Sequence, residues 1–123
     1  MEIPQDVRRL IIEAIDSVPE LEALLLLRTH RERLWSVEEA GARLYVSVTL
    51  ATHVLGALAK RGLLAQHDQQ YRYWPARPDL DDVVAHLAST YASNLIAVTR
   101  LIHAKSNPSF QEFADAFRLR KET

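Results

Sequence analysis

The stretch SVEEAGARLYVSVTLATHVLGALAKRGLL, residues 36–64, predicts two helices joined by a tight turn. It opens with the S-x-x-E pattern, in which the serine oxygen accepts a backbone N–H and the glutamate accepts the serine amide in return. The first helix is therefore placed at 37–44 and the second at 48–61, with the turn at Tyr45–Val46. Gly62 follows the second helix, at the position where a left-handed residue commonly ends a helix.

A short β-hairpin is expected directly after these helices. Leu63–Ala65 and Tyr71–Trp74 are its predicted strands, with aromatic residues that favour strand in the second, and the polar stretch 66–70 separates them. Leu34–Trp35, before the first helix, would add a third short strand. The two tryptophans are expected to lie in the core. The segment 36–75 as a whole predicts a winged helix-turn-helix.

This segment resembles the bacterial winged-helix transcription regulators of the MarR, PadR and ArsR types. The matching positions are Ala40, Leu44, Val46, Ser47, Val54, Leu55, Leu58 and Lys60 to Leu63. The resemblance implies a DNA-binding fold that dimerises through other helices, and it also admits protein-binding uses of the same fold. Two features depart from these families: Tyr45 stands where many relatives have glycine, and the hairpin tip 66–70 has one acid and no arginine.

Helical periodicity divides the second helix into two faces. The side expected to be buried carries Leu50, Ala51, Val54, Leu55 and Leu58. The opposite side offers small polar groups for base edges and cations for phosphates, which a helix in a major groove needs. The expected DNA contacts are Ser47, Thr49, Thr52, His53, Gly56 and Lys60, with Arg43 and Arg72 from flanking elements. An ordinary solvated face is the alternative interpretation of these positions.

Charge gives this segment a weak basic bias. The whole chain has a formal net charge of −1, whereas residues 36–77 contain five basic and three acidic residues. Contacts to few phosphates predict weak DNA binding that falls steeply with salt. The near-neutral net charge and the lack of basic residues at the hairpin tip favour an alternative function, a winged helix that binds a protein partner in the transcription machinery without specific DNA recognition.

Before this segment, residues 1–35 are expected to form two N-terminal helices. The first, at about 4–15, has its apolar residues on one face, and the second, at about 18–29, is apolar around much of its circumference. The second helix is therefore expected to be central. Ser17–Glu20 repeats the S-x-x-E pattern at its start, and the run Arg31–Arg33 is expected to be a solvated link.

After the segment, residues 79–123 are expected to form dimerisation helices. A helix from about 80 to 105 has apolar residues at steps of three and four, close to a coiled-coil seam. At about 39 Å it would exceed the diameter of one small domain, which favours cover by a second copy. A helix at about 110–119 follows. The expected homodimer contacts are Leu87, Tyr91, Leu95, Val98, Ile102, Phe110, Phe113 and Phe117. Packing within one chain is the alternative.

Several classes of protein are disfavoured by composition. The chain has no cysteine, which excludes disulfides and thiolate chemistry. Its five histidines have no ligand-like spacing and its three glycines are too few for a phosphate-binding loop, so we expect no enzyme activity, metal or cofactor. No apolar run approaches the roughly 18 residues of a membrane span, and no signal-type stretch follows the N-terminus. We therefore expect no membrane contact and a cytoplasmic location.

The sequence thus predicts a single domain over residues 1–123, mostly α-helical with a small β-hairpin wing. Its predicted function is transcription regulation by a homodimer that binds double-stranded DNA. Helix 48–61 would enter the major groove and hairpin 63–74 would serve as the wing. A ligand held between the long C-terminal helix and the winged segment is a weaker third hypothesis, for which no residue pattern specifies a chemistry.

Overall fold

Six helices and a small three-stranded antiparallel sheet make up residues 3–105, the part of the chain that the computed structural model describes. The helices are α1 Gln5–Ala14, α2 Val18–Thr29, α3 Val37–Leu44, α4 Val48–Lys60, α5 Pro78–Ser93 and α6 Leu95–Ala104. The strands are β1 Trp35–Ser36, β2 Leu64–His67 and β3 Gln70–Tyr73. A mostly helical fold with a small hairpin is thereby confirmed. Within this part no single helix is long and apolar enough to cross a membrane, and only the bent pair α3 and α4, counted together, meets that length and composition.

The first two helices supply the centre of the core, as their apolar patterns predict. α2 buries Leu21, Leu24 and Leu27 completely, and α1 turns Val7 and Ile11 inward with equally complete burial. Both helices begin and end within one residue of the predicted positions. The one-sided pattern of α1 and the nearly uniform apolarity of α2 therefore distinguish a helix at the edge of the core from one in its middle.

Hydrogen bonds between near neighbours set the starts of α3 and α4. Ser36 Oγ accepts from the Glu39 amide at 3.1 Å, and the Glu39 carboxylate accepts from the Ser36 amide at 2.9 Å. This is the predicted reciprocal cap. Ser47 Oγ accepts from the Leu50 amide at 3.1 Å and caps α4 with this single bond. The chain bends by 107° from α3 to α4.

Gly41 allows the turn between α3 and α4 to pack closely on α3. Its carbonyl accepts from the Val46 amide at 2.9 Å. A Cβ at this position would lie 3.1 Å from the Val46 carbonyl oxygen and 3.5 Å from the Ala51 side chain. A larger residue would push this backbone away, so Gly41 fixes the close approach of α3 to the start of α4.

The sheet has the strand order β1–β3–β2, with Trp35 opposite Tyr71 and Leu64 opposite Tyr73. All four of these side chains are buried. Trp35 confirms the expectation of a core tryptophan, but Trp74 is 59% exposed, and the expectation that it lies in the core is wrong. Successive residues of a strand point to opposite faces, so Tyr73 occupies the buried side and Trp74 points into solvent.

The hairpin between β2 and β3 turns more tightly than the polar stretch 66–70 predicts. Its turn is Asp68–Gln69, because the strands extend to His67 and Gln70, which face each other. Asp68 has φ of +57°, a left-handed conformation that aspartate adopts more readily than most residues.

The predicted long helix at 80–105 is wrong, because Asn94 divides it into α5 and α6. Asn94 has φ of −146° and ψ of 56°, outside the helical region. Just before it, the Ser93 hydroxyl donates to the Ser89 and Thr90 carbonyls at 3.1 and 3.3 Å. Short polar side chains of this kind favour helix ends, and four of them fall within six residues here.

The break lets the apolar seam fold back onto α1, which contacts both α5 and α6. Leu87, Val98 and Ile102 are each 1% exposed or less, so these three predicted dimer contacts lie in the core of their own chain. Tyr91 is half-buried, and Leu95 is 53% exposed. Helix length therefore gives no reason to expect a dimer. The predicted helix 110–119 and its contacts lie outside the described residues, at Phe110, Phe113 and Phe117.

Candidate functional site

The exposed side of α4 is the first part of the candidate site. Its expected outward residues Thr49, Thr52, His53 and Lys60 are exposed. On the opposite side Ala51, Val54, Leu55 and Leu58 are 2% exposed or less. Leu50, predicted to be buried with them, is 37% exposed. Periodicity therefore separates the two faces of α4 correctly except at Leu50, which joins the outer surface, and at Gly56, which is half-buried.

Hydrogen bonds within α4 occupy two of the expected contact residues. Ser47 caps the helix, and the Thr52 hydroxyl donates to the Val48 carbonyl at 2.8 Å. The side chains of Thr49 and His53 make no hydrogen bond to any other residue in the described range. The polar groups of these two side chains are therefore open to a partner on this face, as is the Lys60 ammonium.

Gly56 lies against the hairpin and does not belong to the outward face. It is half-buried, and a Cβ at this position would point toward the Tyr71 hydroxyl at 3.9 Å. The expected contact between DNA and a bare backbone at Gly56 therefore has no support in this geometry.

We expect Gly56→Ala to raise the free energy of unfolding by about 0.5–1 kcal/mol, because alanine favours a helix interior over glycine. The added methyl group would make an ordinary contact with the Tyr71 hydroxyl. Urea denaturation measures the change. Gly41→Ala is the matched control, since its methyl group would meet the Val46 carbonyl at 3.1 Å and the same propensity gain should be lost. A destabilised Gly56→Ala variant would contradict this placement.

Unpaired cations are the second part of the candidate site. Residues 37–73 contain four basic residues, and Arg61 is held by Glu20 and Asp16. The other three have no acidic partner in the described range; they are Arg43, Lys60 and Arg72. These are the cations that the sequence assigns to phosphate contacts. Their charges are thus not neutralised by the chain itself.

Aromatic rings position two of these cations. The Arg43 guanidinium carbon lies 5.6 Å from the centre of the Trp35 ring, and that of Arg72 lies 5.0 Å from the Trp74 ring. Stacking of this kind restricts a guanidinium without neutralising it. Arg43 and Arg72 therefore keep hydrogen-bond donors and charge for an anionic partner.

Three exposed apolar residues near the start of α4 were not predicted as part of the site. Tyr45 is 94% exposed, Val48 is 47% exposed, and Leu50 joins them. Tyr45 also has φ of +59° and ψ of 41°, a left-handed conformation. This conformation is unfavourable for a bulky residue, and many relatives have glycine at this position. The end of α4 that carries Thr49 thus presents a mixed apolar and polar surface.

The run Arg31–Arg33 connects α2 to β1 with all three residues exposed, as expected of a solvated link, and both arginines also have partners. Arg33 lies over the Trp35 ring at 3.8 Å and pairs with Glu39 at 2.8 Å. Arg31 donates to Asp81 at 3.0 Å and ties the end of α2 to the start of α5. The run therefore has structural partners on both sides.

Asp81 joins three parts of the fold. It accepts from the Tyr73 hydroxyl at 2.7 Å and from Arg31, and Arg28 Nε lies 3.6 Å away. The Tyr73 hydrogen bond, followed by that from Arg31, holds the pKa of Asp81 below its usual value. Burial, followed by the bond to Asp81, raises the pKa of Tyr73 well above its usual value. A groove of about 450 Å³ beside this cluster is bordered by Trp74.

A second charged cluster lies at the end of α1. Lys105 Nζ donates to the Ile11 and Ile15 carbonyls and to Asp16, each at 2.7 Å. Burial lowers the pKa of Lys105, and the Asp16 carboxylate opposes that shift. Arg61 donates to the Ala14 carbonyl at 2.8 Å. Both cations meet the negative end of the α1 dipole, so this cluster serves to join helices.

The described residues contain no group of three or more metal-ligating side chains. Their histidine–carboxylate contact, between His86 and Asp6 at 2.9 Å, lies on the surface. The hydrogen bond from His86 lowers the pKa of Asp6. Comparisons with protein families, with curated proteins and with solved structures gave no significant match to this chain.

Proposed function

We propose that the chain is a winged-helix DNA-binding protein that regulates transcription as a homodimer. α4 would enter the major groove, and the β2–β3 hairpin would act as the wing. The observation that carries this proposal is the charge pattern of residues 37–73, where Arg43, Lys60 and Arg72 have no acidic partner in the described range. Arg61, in contrast, is engaged by Glu20 and Asp16.

The geometry of the proposed DNA-binding unit supports the same function. The 107° bend from α3 to α4 falls within the range of about 90–120° typical of a helix-turn-helix. A three-stranded antiparallel sheet packs beside α4, and its β2–β3 hairpin carries Arg72. Thr49 and His53 supply open polar groups of the size that base edges accept.

Selection from a random duplex library at low salt, followed by fluorescence anisotropy, tests the proposal. Three phosphate contacts per copy in a dimer predict a slope of log affinity against log salt of about −5. The selected sites should be pseudo-palindromic, as two-fold symmetric binders require. Failure to select any sequence, with no salt-sensitive binding to the starting library, would refute DNA binding.

The double variant Arg43→Gln/Arg72→Gln is expected to weaken binding about 100-fold at physiological salt and to reduce the slope to about −2. The matched control is Arg8→Gln/Arg9→Gln, which removes the same charge from exposed positions on α1. It should leave the slope nearly unchanged. Equal losses in the two double variants would show that binding responds to net charge and not to this surface.

The homodimer is proposed with a smaller contact surface than the sequence predicts. Leu95 and Ile96, at the first turn of α6, are 53% and 64% exposed. Leu95 is the predicted seam residue still open to a second copy, and Ile96, which the seam does not include, is exposed beside it. Two-fold symmetry of the selected DNA sites reports on this dimer in the experiment above.

One observation favours the second candidate function, a winged helix that binds protein. Tyr45, Val48 and Leu50 expose apolar surface at the end of α4 that would face DNA. Exposed apolar groups of this kind are common at protein interfaces. Absence of DNA binding, together with retention of one stoichiometric protein partner that the substitution Val48→Asp releases, would support this function over the first.

A further inference from the structure

The turn before α4 contains a residue that its backbone conformation does not favour. Tyr45 lies in the left-handed region, where the Cβ of a non-glycine residue crowds the neighbouring carbonyl. Its side chain is 94% exposed and makes no hydrogen bond or ring contact in the described range. Nothing within this part of the chain therefore compensates for the unfavourable backbone.

The left-handed conformation itself is required by the end of α3. The Val46 amide donates to the Gly41 carbonyl at 2.9 Å, and the Tyr45 amide donates toward the Ala42 carbonyl at 3.4 Å. This pair of bonds is the Schellman arrangement, in which the residue after the helix adopts positive φ and is usually glycine. Glycine would satisfy the same bonds without strain, so the tyrosine does not serve the turn.

We propose that Tyr45 is a DNA-contact residue, whose hydroxyl donates to a backbone phosphate while its ring packs against the adjoining sugar. This inference rests on the proposed DNA-binding function. Strained residues persist where they serve a site, so an observed backbone outlier of this kind points to a function. Tyrosine hydroxyls are regular phosphate ligands in protein–DNA complexes and fix the register of the protein on the duplex.

The position of Tyr45 suits this role. It lies two residues before Ser47, the cap of α4, and the neighbouring Val48 is exposed on the same short stretch. A helix that enters the major groove by its N-terminal end brings the preceding turn close to a phosphate strand. Arg43, on the last turn of α3 and two residues before Tyr45, adds a cation with no acidic partner in the described range.

The inference predicts that one substitution at Tyr45 raises thermal stability and weakens DNA binding. Tyr45→Gly should raise Tm by about 2–6 °C, because it removes the left-handed strain. It should also weaken binding to the selected DNA at least tenfold. Tyr45→Asn should behave similarly, since asparagine tolerates this conformation. Tyr45→Phe should leave Tm nearly unchanged and lose affinity by about threefold to tenfold, which isolates the hydroxyl.

Asp68→Gly provides the matched control, because Asp68 is the other non-glycine residue with positive φ in the described range. Its effect on Tm should be smaller than that of Tyr45→Gly, because aspartate tolerates this conformation better than tyrosine. Wild-type affinity in Tyr45→Gly would overturn the inference and leave the proposed function standing. Absence of DNA binding by the wild-type protein would overturn both. A fall in Tm for Tyr45→Gly would contradict the strain on which the inference depends.

Discussion

Arg61→Met is expected to lower the free energy of unfolding by about 3–4 kcal/mol, because it leaves a buried carboxylate without its cation. The Glu20 side chain is only 6% exposed and accepts from Arg61 at 2.6 Å. The same guanidinium also donates to the Ala14 carbonyl at the end of α1. Without Arg61, the one described hydrogen bond left to the Glu20 carboxylate is the one it accepts from the Asp16 amide at 2.8 Å. Urea denaturation measures the loss, provided that the m-value is the same for the variant and the wild type.

Lys60→Met is the matched control, since Lys60 is the neighbouring cation, exposed and without an acidic partner in the described range. Its effect should stay within about 0.5 kcal/mol. Adding Glu20→Gln to Arg61→Met should recover part of the loss, because a neutral amide costs less to bury than a charge. A difference of less than 1 kcal/mol between Arg61→Met and Lys60→Met would disprove the role assigned to Arg61.

Asp81→Asn is expected to lower the free energy of unfolding by about 1.5–2.5 kcal/mol at neutral pH, the range for hydrogen bonds to a charged group. Asp81 accepts from both Tyr73 and Arg31, and the variant loses its charge in each of these contacts. Thermal unfolding at pH 7 gives the difference from wild type.

The effect of Asp81→Asn should shrink on acidification. The folded pKa of Asp81 lies below its unfolded value, first because of the Tyr73 hydroxyl and then because of Arg31. The unfolded chain therefore binds more protons as the pH falls below about 4, and the stability from Asp81 is lost through its folded pKa. Tyr73→Phe should give an intermediate loss with the same pH trend. A pH-independent gap between wild type and Asp81→Asn would rule out this carboxylate as the cause.

The part of the fold that sequence predicts well is held by contacts between near neighbours. Ser36 and Glu39 cap each other across three residues, and Ser47 caps α4 over the same spacing. The starts of α3 and α4 are therefore as predicted. Apolar spacing alone also separates the buried side of α4 from its exposed side, apart from Leu50 and Gly56.

The contacts that sequence does not predict join residues far apart in the chain. Arg61 reaches Glu20 across 41 positions and Arg31 reaches Asp81 across 50, and neither spacing forms a recognisable pattern. The break at Asn94 was missed because the apolar seam continues through it. A seam of this kind reports which side of a helix is apolar, but not whether its partner is a second copy or, as here, α1.

The candidate site follows the same division. Exposure of Thr49 and His53 depends on local periodicity and could be predicted. Arg43 and Arg72 have no acidic partner in the described range because of where the tertiary fold places the aspartates and glutamates, which the sequence does not show. The strain at Tyr45 was foreseeable from the missing glycine, but its exposure was not.

The hydrogen bonds of Lys105 imply an order of events in folding. They join α6 to residues 90 and 94 positions earlier, whereas the α3–α4 turn and the β2–β3 hairpin close over a few residues. Because long loops cost more entropy to close, the nucleus of folding is expected in residues 36–73, with α1 and α6 joining late. Amide hydrogen exchange should accordingly find a partly open species in which α6 has detached while α3 and α4 stay protected.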